Sequence, residues 1–117
     1  MSNLSEAAIE AEIKASGLDA PRLTPDLIDK SIKRERYYHF PDTTLTVCAL
    51  ELQNGFHVVG HSASASPENF NVEIGRKIAR DKAREQIWAL EGYLLRERLS
   101  AVEKRPTKLD LVGSTGL

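Results

Sequence analysis

The chain has 117 residues, a length that predicts one domain able to bury its own core without a metal or disulfide staple. Lys and Arg number 16 against 17 Asp and Glu, for a net charge of −1. That balance excludes bulk attraction to a nucleic acid polymer or a membrane surface and leaves only a local basic patch open.

Cys48 is the single cysteine and lies in an apolar run. It cannot form an internal disulfide, which predicts a buried thiol in a reducing cytoplasm. The opening residues (MSNLSEAAIEAEIK) lack a basic start and an apolar h-region, so no signal peptide is expected. The longest apolar run, Val47 to Leu50, falls far short of the roughly 20 residues that span a membrane.

In chain order, Asn3 to Ser16 reads as a helix, with Asn3 and Glu6 spaced as a capping box and Gly17 placed after its end. Its apolar stripe of Leu4, Ala8, Ile9 and Ile13 is narrow, which predicts a peripheral helix over residues 1–23. A second helix starts at Thr24-Pro25-Asp26, where a cap, a first-turn proline and an acid that complements the dipole follow one another. Leu27, Ile28 and Ile32 would share its face, and the charged run Lys30 to Arg36 would end it. Residues 37–44 read as a connection. Thr44 to Leu52 and Phe56 to Ala63 are β-rich runs around Asn54-Gly55, the preferred pair for a two-residue hairpin turn. A tight turn sets Leu52 opposite His57, Leu50 opposite Val59 and Cys48 opposite His61. Residues 36–41 or a partner chain would supply further strands, since a lone hairpin is marginal in water.

From Pro67 to about Arg105 the chain reads as one long helix or two nearly continuous ones, capped at Ser66, Asn69 or Asn71 and ended by Pro106. Gly75, Ala79, Ala83, Ile87, Leu90 and Leu94 share its buried face, small residues first and large ones later. The core is thus residues 24–105 and the tail 106–117 is expected to be loose. The fold class is α+β: a small antiparallel sheet followed by a long C-terminal helix, with one or two N-terminal helices.

The chemistry-bearing residues are few. His57 and His61 on one strand stand about 13 Å apart, too far to share a zinc. No nucleophile–base signature, P-loop or dinucleotide fingerprint occurs, so neither a catalytic residue nor a metal or cofactor is expected. Glu91 lies within an apolar helix, where a carboxylate either acts as an acid or base or accepts a bond from a nearby arginine. Arg76, Arg80 and Arg84 recur every four positions, with Arg96 and Arg98 near the far end. They form either a solvated charged face, the commoner case, or a phosphate-binding stripe. Asn69-Phe70-Asn71 at the helix start either staples the helix to the sheet or offers a ring and amides to a base. Trp88 and Tyr93 suit a core or an interface between copies, so a homodimer at least is expected.

The strings FPDTTLTVCALELQNGFHVVGHSA and SPENFNVEIGRKIARDKAREQIWALEGYLLRERL together resemble the phage family named after Gp forty-nine of one coliphage and gene sixty-six of a Shigella phage, from about Thr24 to Leu99. The hairpin followed by a helix ending in LEGYLL also resembles, less closely, the Thoeris anti-defence one group. Those proteins sequester cyclic ADP-ribose-type signals, some bind CBASS cyclic oligonucleotides, and none cleaves its ligand. They assemble as dimers or hexamers. The resemblance implies a non-enzymatic sponge in the cytoplasm of the infected host, and for its ligand the chain itself offers an aromatic ring, amides and arginines: Asn69, Phe70, Asn71, Arg76, Arg80, Arg96 and Arg98.

Overall fold

A computed structural model describes residues 2–104, with side chains from residue 5 onward. Helix α1 is Ser2–Ala15 and α2 is Pro25–Lys30. Strands β1 (Ile32–His39), β2 (Leu45–Leu52) and β3 (His57–Ala63) follow, then a 3-10 turn Pro67–Asn69 and helix α3 (Val72–Glu103). Among the described residues the strands form one antiparallel sheet in the order β1-β2-β3. The tail 106–117 and the expected stop at Pro106 lie outside the described residues.

Local chemistry accounts for most boundaries. The Thr24 hydroxyl accepts from the Leu27 amide at 3.2 Å, and Pro25 opens α2. Of the candidate caps for the long helix, Asn71 is the one used, its Oδ1 accepting from the Ile74 amide at 3.0 Å. Helix α2 is shorter than its sequence predicts. It stops at Lys30, and Ile32 belongs to β1 rather than to the helix face. The stretch 32–39 is the third strand: the expected further strand at 36–41 is present, but it begins at Ile32, within the run read as a charged helix end. As an edge strand it tolerates Lys33, Arg34 and Arg36, and Arg34 pairs across to Glu51 at 3.3 Å.

The hairpin turns where expected, with a different register. Only Gly55 of its loop has a positive φ, at 90°. The Gly55 amide donates to the Leu52 carbonyl (2.9 Å) and the Leu52 amide to the Phe56 carbonyl (2.7 Å), closing a loop of Gln53, Asn54 and Gly55. The extra loop residue shifts pairing by one, so Leu50 faces Val58 and Cys48 faces Gly60. Thr46, Cys48, Leu50 and Leu52 then point inward with Val58, Gly60 and Ser62, while His57 and His61 lie on the outer face, away from Cys48.

The core is Ile28, Cys48, Leu50, Leu52, Val58, Ala79, Ala83 and Ile87. Helix α3 lies across β2 and β3. Its small residues let the backbones touch: a Cβ on Gly60 would overlap the Ala79 carbonyl oxygen and the Ala83 nitrogen, and one on Gly75 would meet Thr46 Oγ1 at 3.1 Å. The inward stripe does not stay buried along the whole helix. Leu90 is 39% and Leu94 38% exposed, contrary to the sequence expectation. The reason is length: 32 residues at 1.5 Å reach about 48 Å, against about 25 Å for strands of seven or eight residues. Leu94 stands beside Leu52 at the hairpin end of the sheet, Tyr93 is 74% exposed, and the last turns of α3 run on past the strands.

Candidate functional site

Alternate residues of β1 meet the N-terminal half of α3 through long side chains. Glu35 accepts from Arg80 Nε at 3.0 Å and from the Tyr37 hydroxyl at 2.7 Å. The Arg76 guanidinium lies 5.3 Å above the Tyr37 ring, and His39 stacks on Phe70 with centroids 4.8 Å apart and planes at 18°. Arg84 is buried, bonding Asp29 at 2.8 Å, Glu6 at 2.6 Å and the Pro25 carbonyl at 3.3 Å. Within the stripe, Arg80 and Arg84 are thus engaged by carboxylates, while Arg76 is exposed and, among the described residues, touches only the Tyr37 ring. The stripe's members tie the helix to β1, α2 and α1.

This cluster has a definite electrostatic sense. The bond from Tyr37, opposed by burial and aided by Arg80, holds the Glu35 carboxyl below its ordinary value of 4.5. Burial, then donation to Glu35, raises the Tyr37 hydroxyl, and burial likewise pushes the Cys48 thiol up, which keeps it protonated and unreactive. A depressed carboxylate contributes stability that is present above its unfolded value and lost as pH falls through its folded value. Urea midpoints should thus drop as pH is lowered from 6 through about 4. The drop should be shallower in Glu35→Gln.

The stacked pair opens onto a pocket of about 380 Å³ lined by His39, Asp42, Thr43, Thr44, Ser64 and Phe70. His39 Nε2 donates to the Thr43 carbonyl at 2.6 Å, and the Thr44 hydroxyl donates to the Ser64 carbonyl at 2.7 Å, so the walls are held in place. Asn69 is exposed in the 3-10 turn beside it, and Asn71 keeps its amide nitrogen free of the capping bond. The pocket can take a flat ring against hydroxyl and imidazole groups. Its lining holds no lysine or arginine.

The other predicted ligand residues stand elsewhere. Arg96 pairs with Glu103 at 2.7 Å. Arg98 lines a separate hollow of about 200 Å³ with Leu52, Gln53, Asn54, Glu91 and Leu94. From residue 70 to residue 98 the helix rise is about 42 Å. One chain does not bring Phe70 and Arg98 together. His39, Thr43, Thr44 and Ser64 were not singled out from sequence, because β1 carried no apolar alternation and its pairing with residue 70 is long-range. Trp88, expected in a core or interface, is half-buried and donates its indole N–H to Glu6 at 3.1 Å.

Among the described residues no group of three or more His, Cys, Asp or Glu could hold a metal ion, and no helix is long and apolar enough to cross a membrane. What fold and site define is a small α+β protein: a three-stranded sheet under one overlong helix, with an open aromatic pocket at the helix start. The chain belongs to the Phage protein (N4 Gp49/phage Sf6 gene 66) family, whose model matches residues 23–99. The match takes in the sheet, the aromatic pocket and most of α3, and begins after α1. No curated protein and no solved structure matches the chain.

Proposed function

We propose that the protein is a phage anti-defence sponge that binds a cyclic nucleotide signal, of glycocyclic ADP-ribose type or a cyclic oligonucleotide, and holds it without cleaving it. The observation that carries this reading is the His39–Phe70 stack at the mouth of an open pocket, a platform for an adenine ring. The resemblance of the hairpin and the LEGYLL helix to Thoeris anti-defence sponges supports the ligand class. In this reading the phosphate contacts come from Arg96 and Arg98 of a second copy. Two α3 helices running antiparallel would carry the far end of one to the aromatic pocket of the other. The site is then complete only in a homodimer or a higher homo-oligomer.

Phe70→Ala is expected to weaken binding by about 1–3 kcal/mol, or roughly ten- to hundredfold, with the fold intact. The check is calorimetry against glycocyclic ADP-ribose and a panel of cyclic di- and trinucleotides, with sedimentation of the same samples. Intact ligand recovered after heating the complex fits a sponge. A hydrolysed product, or no binding across the panel, would overturn it. A second reading is an accessory protein that binds and inhibits a host protein. It is favoured by the exposed Leu90, Tyr93 and Leu94 on the distal half of α3.

A further inference from the structure

Helix α1 is attached in an unusual way. None of residues 5–15 is buried, and all but Glu6, Glu10 and Ile13 are exposed. Ile9, on the same helix, is 55% exposed. Beneath the helix lie open spaces of about 560, 270 and 220 Å³. A helix integral to a core buries its apolar stripe; this one stands over hollow ground and holds on by its acids.

The acids are received by a built arrangement. Glu6 Oε2 accepts from Arg84 Nη1 at 2.6 Å and from the Trp88 indole N–H at 3.1 Å. One turn later Glu10 takes both guanidinium nitrogens of Arg22, at 2.8 and 2.9 Å. Between these points Ile9 and Ile13 face an apolar hollow floored by Leu23, Pro25 and Trp88. Glu6, Ile9, Glu10 and Ile13 fall at i, i+3, i+4 and i+7, the spacing by which an amphipathic helix reads a groove. Apart from Arg22, the groove floor belongs to the matched residues 23–99, whereas α1 does not.

We propose that the groove between α2 and α3 is a docking site for an acidic amphipathic helix of a partner protein, and that α1 fills it in the free protein as a pseudo-ligand. The partner helix presents a carboxylate to Arg84 and Trp88, a second one turn on to Arg22, and larger apolar side chains to the hollows that Ile9 and Ile13 leave open. Better filling of those hollows is what lets it displace a tethered competitor. This proposal stands independently of the nucleotide reading and uses a different face of the molecule.

The test uses the full chain and a fluorescent peptide with the sequence of residues 2–16. The double variant E6K/E10K should expel its own α1 and bind the peptide about tenfold or more tightly than the wild-type chain does. A peptide carrying lysine at both glutamate positions should bind neither. Trp88→Phe in the E6K/E10K background should lose severalfold of the peptide affinity, with circular dichroism unchanged. As a safeguard against misfolding of the double variant, a protease site placed between Asp19 and Ala20 lets α1 be cut from the folded wild-type chain, after which excess peptide should displace it on gel filtration. Equal peptide binding by wild type and variant, equal binding of the charge-reversed peptide, or an α1 fragment that cannot be displaced would overturn the proposal. So would a wild-type dimer abolished by E6K/E10K, since the groove would then belong to a second copy's α1.

Discussion

Gly60→Ala is expected to cost about 3 kcal/mol or more, a large share of the stability of a domain this size. Most glycine-to-alanine changes in a strand are mild or favourable, because alanine restricts the unfolded chain. Here the effect reverses. A methyl group on residue 60 points at the backbone of α3, overlapping the Ala79 carbonyl and the Ala83 amide nitrogen. Backbone atoms cannot rotate aside as a side chain can, so either the sheet and helix separate or the strand pairing shifts. Separation would open the contact among Cys48, Leu50, Val58 and Ile87 as well. Equilibrium urea unfolding checks the magnitude. Gly55→Ala makes a useful contrast, because there the added methyl meets open space and the cost lies only in the positive φ of 90°.

Ala83→Arg is expected to be at least as severe and to abolish cooperative folding at moderate temperature. Ala83 is fully buried and its nitrogen sits against Gly60. Arginine at this position adds several atoms where none fit, which costs about 1–3 kcal/mol in overpacking. It also takes a guanidinium out of water with no carboxylate placed to receive it, a penalty of several kcal/mol. The neighbouring Arg84 is no precedent, because it points to the other side and finds Asp29, Glu6 and the Pro25 carbonyl there. Thermal unfolding by circular dichroism is the check, and an unchanged midpoint would refute the packing described above.

The sequence announced its locally determined features and withheld those that depend on a distant partner. Asn54-Gly55 marked the hairpin and Asn71 the helix start, since both act through backbone groups two or three residues away. The spacing of Gly75, Ala79 and Ala83 gave the sheet-facing side of α3 for the same reason. Strand β1 was expected only over 36–41, and its start at Ile32 was missed, because its inward residues are Glu35, Tyr37 and His39, matched to Arg80, Arg76 and Phe70 of α3 rather than to an apolar surface. No alternation of apolar and polar residues betrays a strand built that way. The candidate pocket was half legible. Phe70 drew attention by itself, but nothing local in the sequence pairs it with His39, 31 residues away. Leu90 and Leu94 show a different limit: periodicity states which direction a side chain faces, not whether anything is there to meet it.

The overlong helix has a thermodynamic consequence of its own. Turns backed by the sheet can open only when the whole domain opens, whereas the turns beyond Leu94, which run past the strands, are held mainly by their own backbone bonds and neighbouring pairs such as Arg96–Glu103. Fraying there leaves the rest of the fold intact. Ordering those turns and covering them are therefore a single equilibrium, so an occupant of that face, whether a second copy or another protein, also sets how much of the helix exists.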